Sequence, residues 1–356
     1  MQNLWPHAYV HALNPFVLKF TDTFGIRWYG LAYLGGFTIG YLTTWWLAKK
    51  NLTVVKPEQV GDLVFCTAVG TVIGGRLGYC LFYAPHLFTQ ITSSPPYWGL
   101  LAVNQGGMAS HGGILGLVLG CLWFSRTRKL PFLALCDLTT IGGTLGIFFG
   151  RVANFINGEL VGRPAPPGFP LAVKFPEDIL FWPAQEPTRL ISLTPVVEKL
   201  GISPPQWDTI IGTRFSDPTK LDEILYRIVG KIQTGDTALK DQLAPLLTGR
   251  YPSQLYEALL EGIFLFCVLM FIWRKPRKPG IVGGWFLLLY PIVRIFCEQY
   301  RMPDPGIGFQ WLGLTRGQWL SIVMIVLTSW LVYFFSRRNE PAIGGWLPHD
   351  NTEGNS

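Results

Sequence analysis

Charge is scarce in this chain. Asp, Glu, Lys and Arg make up only 14% of its 356 residues, where a soluble domain carries roughly 25%. That shortage excludes an ordinary hydrated globular surface. Cysteines are few and poorly spaced for chemistry: Cys66, Cys80, Cys121, Cys136, Cys267 and Cys297 form no Cys-x-x-Cys pair and all fall in apolar stretches. A disulfide framework and a metal site are therefore not expected, and the thiols read as buried apolar fillers. No basic stripe carries a nucleic-acid reader motif, so the net charge of +7 needs another explanation. A cleavable leader is not expected either, since Met1 to Gly25 has no basic start ahead of a compact apolar core and a small-residue site. The first apolar helix is expected to insert and stay.

What is present in quantity is apolar surface. Hydrophobic residues reach 49%, aromatics 14%, and the mean hydropathy is +0.30. Apolar runs occur at Trp28 to Leu47, Leu63 to Ala84, Gly106 to Phe124, Phe132 to Phe149, Leu255 to Trp273, Trp285 to Tyr300 and Leu320 to Phe335. A helix needs about 20 residues to cross the hydrocarbon core, so these predict an all-α integral membrane bundle of about seven transmembrane helices. Basic clusters at Lys49, Lys50 and Lys56, at Arg126, Arg128 and Lys129, at Arg274 to Lys278, and at Arg337 and Arg338 each follow an odd-numbered run. The loop from Pro85 to Ser110 holds no Lys or Arg. By the positive-inside rule the N-terminus is then outside and the C-terminus cytoplasmic, which also accounts for the positive charge through contact with anionic lipid.

The expected organisation is helices one to four in residues 1–163, an outer-side soluble insertion in 164–250, helices five to seven in 251–336, and a cytoplasmic tail in 337–356. The insertion opens with a proline-rich stretch and carries one amphipathic helix, starting near Asp217 and Thr219, with Leu221, Ile224, Leu225, Ile228, Val229 and Ile232 on one face. Glycines recur four apart at Gly70, Gly74 and Gly78, at Gly112, Gly116 and Gly120, and at Gly142, Gly146 and Gly150. In lipid that spacing lets helix backbones approach closely.

Against this apolar background the polar residues stand out. Gly150 to Arg163 gathers Arg151, Asn154, Asn157, Glu159 and Arg163 where an apolar run ends. Taken alone the run reads either as a helix end with a polar loop or as a site for a polar ligand, because ionisable groups at membrane depth are functional candidates. Topology assigns Tyr29, His111, Arg151, Asn154, Tyr256, Glu257, Arg294 and Glu298 to the outer half of their helices. Arg76 falls in the same half, roughly 12 Å below its helix end. Tyr290, Arg294 and Glu298, spaced four apart, share one helical stripe, where an Arg294–Glu298 pair is equally a simple stabilising contact. Asp137, near an inner end, reads as a helix-packing residue.

These motifs together resemble the bacterial phosphatidylglycerol:prolipoprotein diacylglyceryl transferases. The resemblance rests on the run Gly150 to Pro164 and on Arg-Trp-Tyr-Gly-Leu at Arg27, Gly-Gly-Arg-Leu-Gly-Tyr at Gly74 and Gly-Gly-Met-Ala-Ser-His-Gly-Gly at Gly106. Pro-Ser-Gln-Leu-Tyr-Glu at Pro252 and the Tyr290 stripe with Arg301, Pro303 and Asp304 complete it. It implies transfer of a diacylglyceryl group from phosphatidylglycerol to the lipobox cysteine of a preprolipoprotein, in the bacterial inner membrane, with no cofactor or metal. It also implies functional roles for Tyr29, His111, Arg151, Asn154, Glu159, Gly162, Tyr290, Arg294 and Glu298. In chemical terms, His111 is the candidate base for the thiol, with Tyr29 and Tyr290 as donors or orienting groups. Arg151 and Arg294 suit the phosphate, with Asn154 as a neutral donor, Glu159 and Glu298 orienting the arginines, Gly162 permitting a tight turn and Arg76 as a further substrate contact. The charged part of the insertion, Glu177 to Leu247, roughly seventy residues, is longer than the resemblance leads one to expect. An anion transporter and another lipid-headgroup or acyl transferase are the rival classes; the first calls for polar residues continuing to the cytoplasmic ends and for inverted repeats, and neither is evident.

Overall fold

A computed structural model describes residues 4–20, 25–93, 96–103, 106–303 and 310–347. Asp304 lies outside the described residues. The long helices are α1 (Trp28–Lys49), α2 (Val60–Phe82), α3 (Ser110–Arg128) and α4 (Phe132–Ile156). After the short α5 (Trp182–Gln185), α6 (Thr194–Glu198), α7 (Pro204–Gly212), α8 (Thr219–Gln233) and α9 (Thr237–Leu243), α10 (Ser253–Glu257) leads through a π-helical turn, Ala258–Phe264, into α11 (Leu265–Trp273). The last two are α12 (Ile281–Cys297) and α13 (Arg316–Arg337). Each of the seven apolar runs is helical over most of its length. Among the described residues, four helices are long and apolar enough to cross a membrane: Pro57–Phe82, Phe132–Ile156, Ser253–Trp273 and Arg316–Arg337, with Ile281–Cys297 apolar but shorter. Only 11% of the apolar window of Arg316–Arg337 is buried within the protein. In water that would be a large sticky patch, so this face is solvated by lipid.

The chain divides into two compact units. The first comprises Met1–Tyr33, Phe148–Leu260 and Val293–Ser321. Its small sheet has the order β1 (Tyr9–Val10), β4 (Val173–Lys174), β5 (Gly249–Arg250), β1 running parallel to β4 and β5 antiparallel to it. A separate hairpin pairs β2 (Phe16–Lys19) with β3 (Gly25–Arg27). The insertion has its own apolar core. On α8, Leu221, Leu225, Ile228, Val229 and Ile232 are buried while Asp222, Glu223, Arg227 and Lys231 are exposed, as the helical period requires. They pack with Leu190, Leu193, Val196 and Trp207, whose indole N–H donates to the Leu190 carbonyl at 3.0 Å.

The second unit comprises Leu34–Ile147, Glu261–Ile292 and Ile322–Ser356. Here the glycine spacing has its predicted effect. A methyl added at Gly70 would lie 2.2 Å from the Gly116 carbonyl oxygen, one at Gly74 2.3 Å from that of Gly112, and one at Gly116 1.9 Å from that of Gly70. No side chain larger than hydrogen fits the α2–α3 crossing. Gly40 and Gly142 likewise meet across α1 and α4. Asp137 accepts from the backbone N–H groups of Gly280, at 2.8 Å, and Gly283, at 2.6 Å, so it caps the start of α12. Cys80 and Cys121 are buried fillers and so is Cys297 in the first unit, but Cys267 is exposed, which corrects the expectation for that thiol.

Candidate active site

The signature run is more helical than its polarity suggests. The fourth helix continues to Ile156, so Arg151 and Asn154 share one face near its last turn and only the residues after Ile156 form the turn. Asn154 makes two side-chain contacts. Its amide donates to Glu159 Oε1 at 3.0 Å and to the Tyr29 hydroxyl oxygen at 3.2 Å, while Asn157 also donates to Glu159 Oε1, at 3.2 Å. Because Tyr29 accepts here, its own O–H remains a donor. The turn itself needs unusual backbone: Gly158 has φ +66° and Leu160 has φ +55°. A non-glycine residue in that region costs energy, and such strain persists only where the surroundings enforce it.

Those surroundings are explicit. Gln254 donates to the Glu159 carbonyl at 2.8 Å and Ser253 to that of Leu160 at 3.3 Å. Met302 N–H donates to the Val161 carbonyl at 3.1 Å, and Arg163 N–H to that of Tyr300 at 2.8 Å. A methyl on Gly162 would sit 2.1 Å from the Tyr251 carbonyl oxygen. The glycine is thus the only residue that lets three backbone segments meet. Arg250 donates to the Gly162 carbonyl at 3.1 Å and to Asp178 Oδ2 at 2.6 Å. Burial pushes the Asp178 carboxyl up to about 6, against the pull of Arg250.

Beside the turn, charge converges on one carboxylate. Glu257, at the end of α10, is fully buried; its Oε1 accepts from Arg294 Nη1 at 2.9 Å and Arg301 Nη1 at 3.4 Å. Its Oε2 lies 3.0 Å from Arg151 Nη1. Arg294 also reaches Glu298 Oε1 at 2.5 Å, the i,i+4 contact anticipated from spacing, and Glu298 Oε2 accepts from Thr315 at 3.2 Å. Arg163 in turn donates to the Glu298 and Arg301 carbonyls. Three guanidiniums, those of Arg151, Arg294 and Arg301, are thus fixed in a poorly hydrated place against the carboxylates of Glu257 and Glu298. That is an arrangement for holding an anion.

The sequence of the whole chain decides what kind of protein carries this cluster. A profile of the prolipoprotein diacylglyceryl transferase family matches residues 15–334. The chain belongs to that family. It is 51% identical to the phosphatidylglycerol–prolipoprotein diacylglyceryl transferase of Bdellovibrio bacteriovorus over 95% of this chain and 97% of the relative. The enzymes of the same name from Rhodospirillum rubrum and Nitrobacter winogradskyi are 36% and 34% identical, over 93% and 86% of this chain and 94% and 84% of theirs. The protein is therefore an integral, multi-pass membrane transferase of lipoprotein biosynthesis.

Of the residues expected at the transferase site, the first unit holds Tyr29, Arg151, Asn154, Glu159, Gly162, Arg294 and Glu298. Glu159, expected to orient an arginine, is engaged by two amides. His111, Tyr290 and Arg76 belong to the second unit. The His111 ring is exposed in the first turn of α3, with Phe82 at 5.3 Å and Tyr83 at 5.9 Å, and Tyr290 packs on Phe286 at 5.5 Å. Arg76 is buried and its guanidinium donates to the carbonyls of Gly99, Leu100, Gly106 and Gly107 at 2.5 to 3.0 Å. It anchors loop backbone, and a substrate would have to displace one of those bonds. Glu257 and Arg301 were not among the expected site residues, although both close motifs that the sequence displays.

Proposed function

We propose that this transferase moves the diacylglyceryl group of phosphatidylglycerol onto the lipobox cysteine thiol of a preprolipoprotein, at the cluster around the signature turn. The observation that carries the proposal is the convergence of Arg151, Arg294 and Arg301 on buried Glu257. The donor is a phosphodiester that leaves as a more highly charged phosphomonoester. Charge therefore grows on the phosphate as the bond breaks, and guanidiniums already fixed in place favour the transition state over the ground state. Tyr29 adds a neutral donor next to Arg151, and Asn154, whose amide donates to Glu159 and Tyr29, would give up one of those bonds to reach the phosphate.

In the reaction the thiol loses its proton to His111, and the sulfur forms a bond to the glycerol carbon that carries the phosphate. The carbon–oxygen bond breaks, its electron pair stays with the phosphate oxygen, and glycerol phosphate departs. A thiol with a pKa of about 8.5 needs such a base at neutral pH. Exposure of the His111 ring supports that role, and Tyr290 is assigned to orient the base or the phosphate. The protein has about seven spans, with the N-terminus outside, the C-terminus cytoplasmic, and the site toward the outer leaflet of the bacterial cytoplasmic membrane. The basic clusters after alternate runs support this topology.

The test is purified enzyme with phosphatidylglycerol vesicles and a lipobox peptide, read by mass spectrometry. A diacylglyceryl mass gain on the cysteine is expected. Equal modification of a Cys→Ser peptide would sink the thiol mechanism.

A further inference from the structure

We propose that Glu177 and Asp178, consecutive acids where the charged part of the outer insertion begins, are positioning residues that set the signature turn and thereby the aim of Asn154 and Glu159. This rests on the reading of that turn as part of the donor site. Both acids are almost wholly buried, with 8% and 3% of their surface exposed, in the short 3-10 turn Pro176–Leu180. They brace the turn at its two ends. Glu177 lies against Gly158, where an added Cβ would fall 2.4 Å from the carboxyl carbon. Asp178 holds Arg250, which holds the Gly162 carbonyl.

The Glu177 side is built rather than incidental. Its Oε1 accepts from Gln233, on α8, at 2.9 Å, and lies 3.7 Å from Nδ1 of His11, an imidazole with no exposed surface. The His11 ring sits edge-on to Phe155, at 5.4 Å, and Phe155 follows Asn154 on α4. Glu177 Oε2 has no hydrogen-bond partner among the described residues. A buried carboxylate with an unmet oxygen is costly, and a leucine there would avoid that cost. What the carboxylate supplies is a fixed stop for the left-handed Gly158 and a tie from the turn to the insertion through Gln233. A small displacement of the turn would swing Glu159 away from Asn154, and errors of about 1 Å in aligned groups cost about 100-fold in rate.

A positioning role predicts a loss in kcat with little change in KM, because alignment acts in the transition state. Full-length purified enzyme is assayed with phosphatidylglycerol vesicles and a lipobox peptide, and rates are normalised to folded protein from thermal melts. Glu177→Ala should lower kcat by about 10- to 100-fold with KM for the lipid within about threefold. Glu177→Gln, which keeps the shape and the tie to Gln233, should recover at least a third of wild-type kcat. Where Glu177→Ala yields too little folded protein, Glu177→Ser replaces it. A second arm uses Gly158→Asn, since asparagine tolerates φ above zero and its loss comes from the collision with Glu177. Adding Glu177→Ala to it should raise kcat rather than lower it further. The proposal is overturned if kcat per folded molecule stays within twofold for Glu177→Ala or Ser, if Gln is as poor as Ala, or if the double variant is additive. Arg151→Lys run in parallel separates the two readings: wild-type turnover there fails the donor-site assignment, while its loss alongside an unaffected Glu177→Ala fails the positioning role alone.

Discussion

Glu257 and Arg294 are joined at 2.9 Å although 37 residues separate them in the chain. The pair holds more than itself, because Arg151 and Arg301 lean on the same carboxylate. Replacing Glu257 by Gln keeps the volume but removes the charge, leaving three guanidiniums facing one another in a buried place. Breaking a buried pair by deleting one partner costs about 3–5 kcal/mol. Glu257→Gln should therefore lower thermal stability measurably and reduce turnover by at least about 100-fold. Wild-type melting with wild-type turnover would remove Glu257 from the site.

Arginine at positions 151 and 294 is expected to matter for its shape as well as its charge. A guanidinium presents paired donors to a phosphate, whereas an ammonium is a point charge. Arg151→Lys and Arg294→Lys should each lose most activity, about 10- to 1000-fold in kcat, in the vesicle assay. Near-normal rates would show that only net charge is needed.

Much of this was legible in the sequence, for identifiable reasons. Apolar runs near 20 residues leave helices as the way to satisfy the backbone in lipid, and glycines four apart dictate where those helices cross. The Arg294–Glu298 contact follows from helical period. Contacts without a period were not legible. Glu257 meets arginines from three other places in the chain, and no spacing rule predicts that. Arg76 was conspicuous as an arginine in an apolar helix, yet its partners are carbonyls of the loop after α2, whose fold no local pattern announces. The end of α4 was legible as well: Arg151 and Asn154, read as closing that helix, lie in its last two turns.

Glycine substitutions discriminate close packing from mere flexibility. Gly162→Ala would drive a methyl into two backbone carbonyls, 2.1 Å from Tyr251 O and 2.9 Å from Tyr300 O, and neither can yield as a side chain would. Loss of folded yield, or of at least about 100-fold in activity, is expected. Gly143→Ala, inside α4 with nothing within 4 Å of the new methyl, should be neutral or stabilising by about 0.5–1 kcal/mol. Thermal melts of the two variants in the same detergent check the contrast, and equal effects would refute it.

Asp178 makes a pH prediction with a definite sign. Its folded value of about 6 stands above its ordinary 3.8, so the folded enzyme binds this proton more tightly than the unfolded chain does. Its contribution to stability is full below pH about 4 and is lost as the pH rises through about 6. A rise of about two units corresponds to something on the order of 3 kcal/mol. Asp178→Asn cannot titrate, and although it weakens the hold on Arg250 at every pH, its melting temperature should gain on wild type between pH about 4 and about 7. A constant gap across that window would refute the assignment.

The proton transfer itself is tested at His111. Glutamine preserves a hydrogen-bonding side chain of similar reach but cannot take up a proton near neutrality, so His111→Gln separates basicity from hydrogen bonding. General-base assistance contributes about 10²- to 10⁴-fold, and a loss in that range is expected at pH 7. As the pH passes the thiol's value of about 8.5, the peptide ionises without help and the variant should gain on wild type. The diagnostic quantity is the ratio of wild-type to variant kcat between pH about 6.5 and about 9.5. A ratio that falls steadily with pH assigns the base to His111. If it holds level, the imidazole serves by hydrogen bonding alone and the proton goes elsewhere, with Tyr290 the next residue to vary.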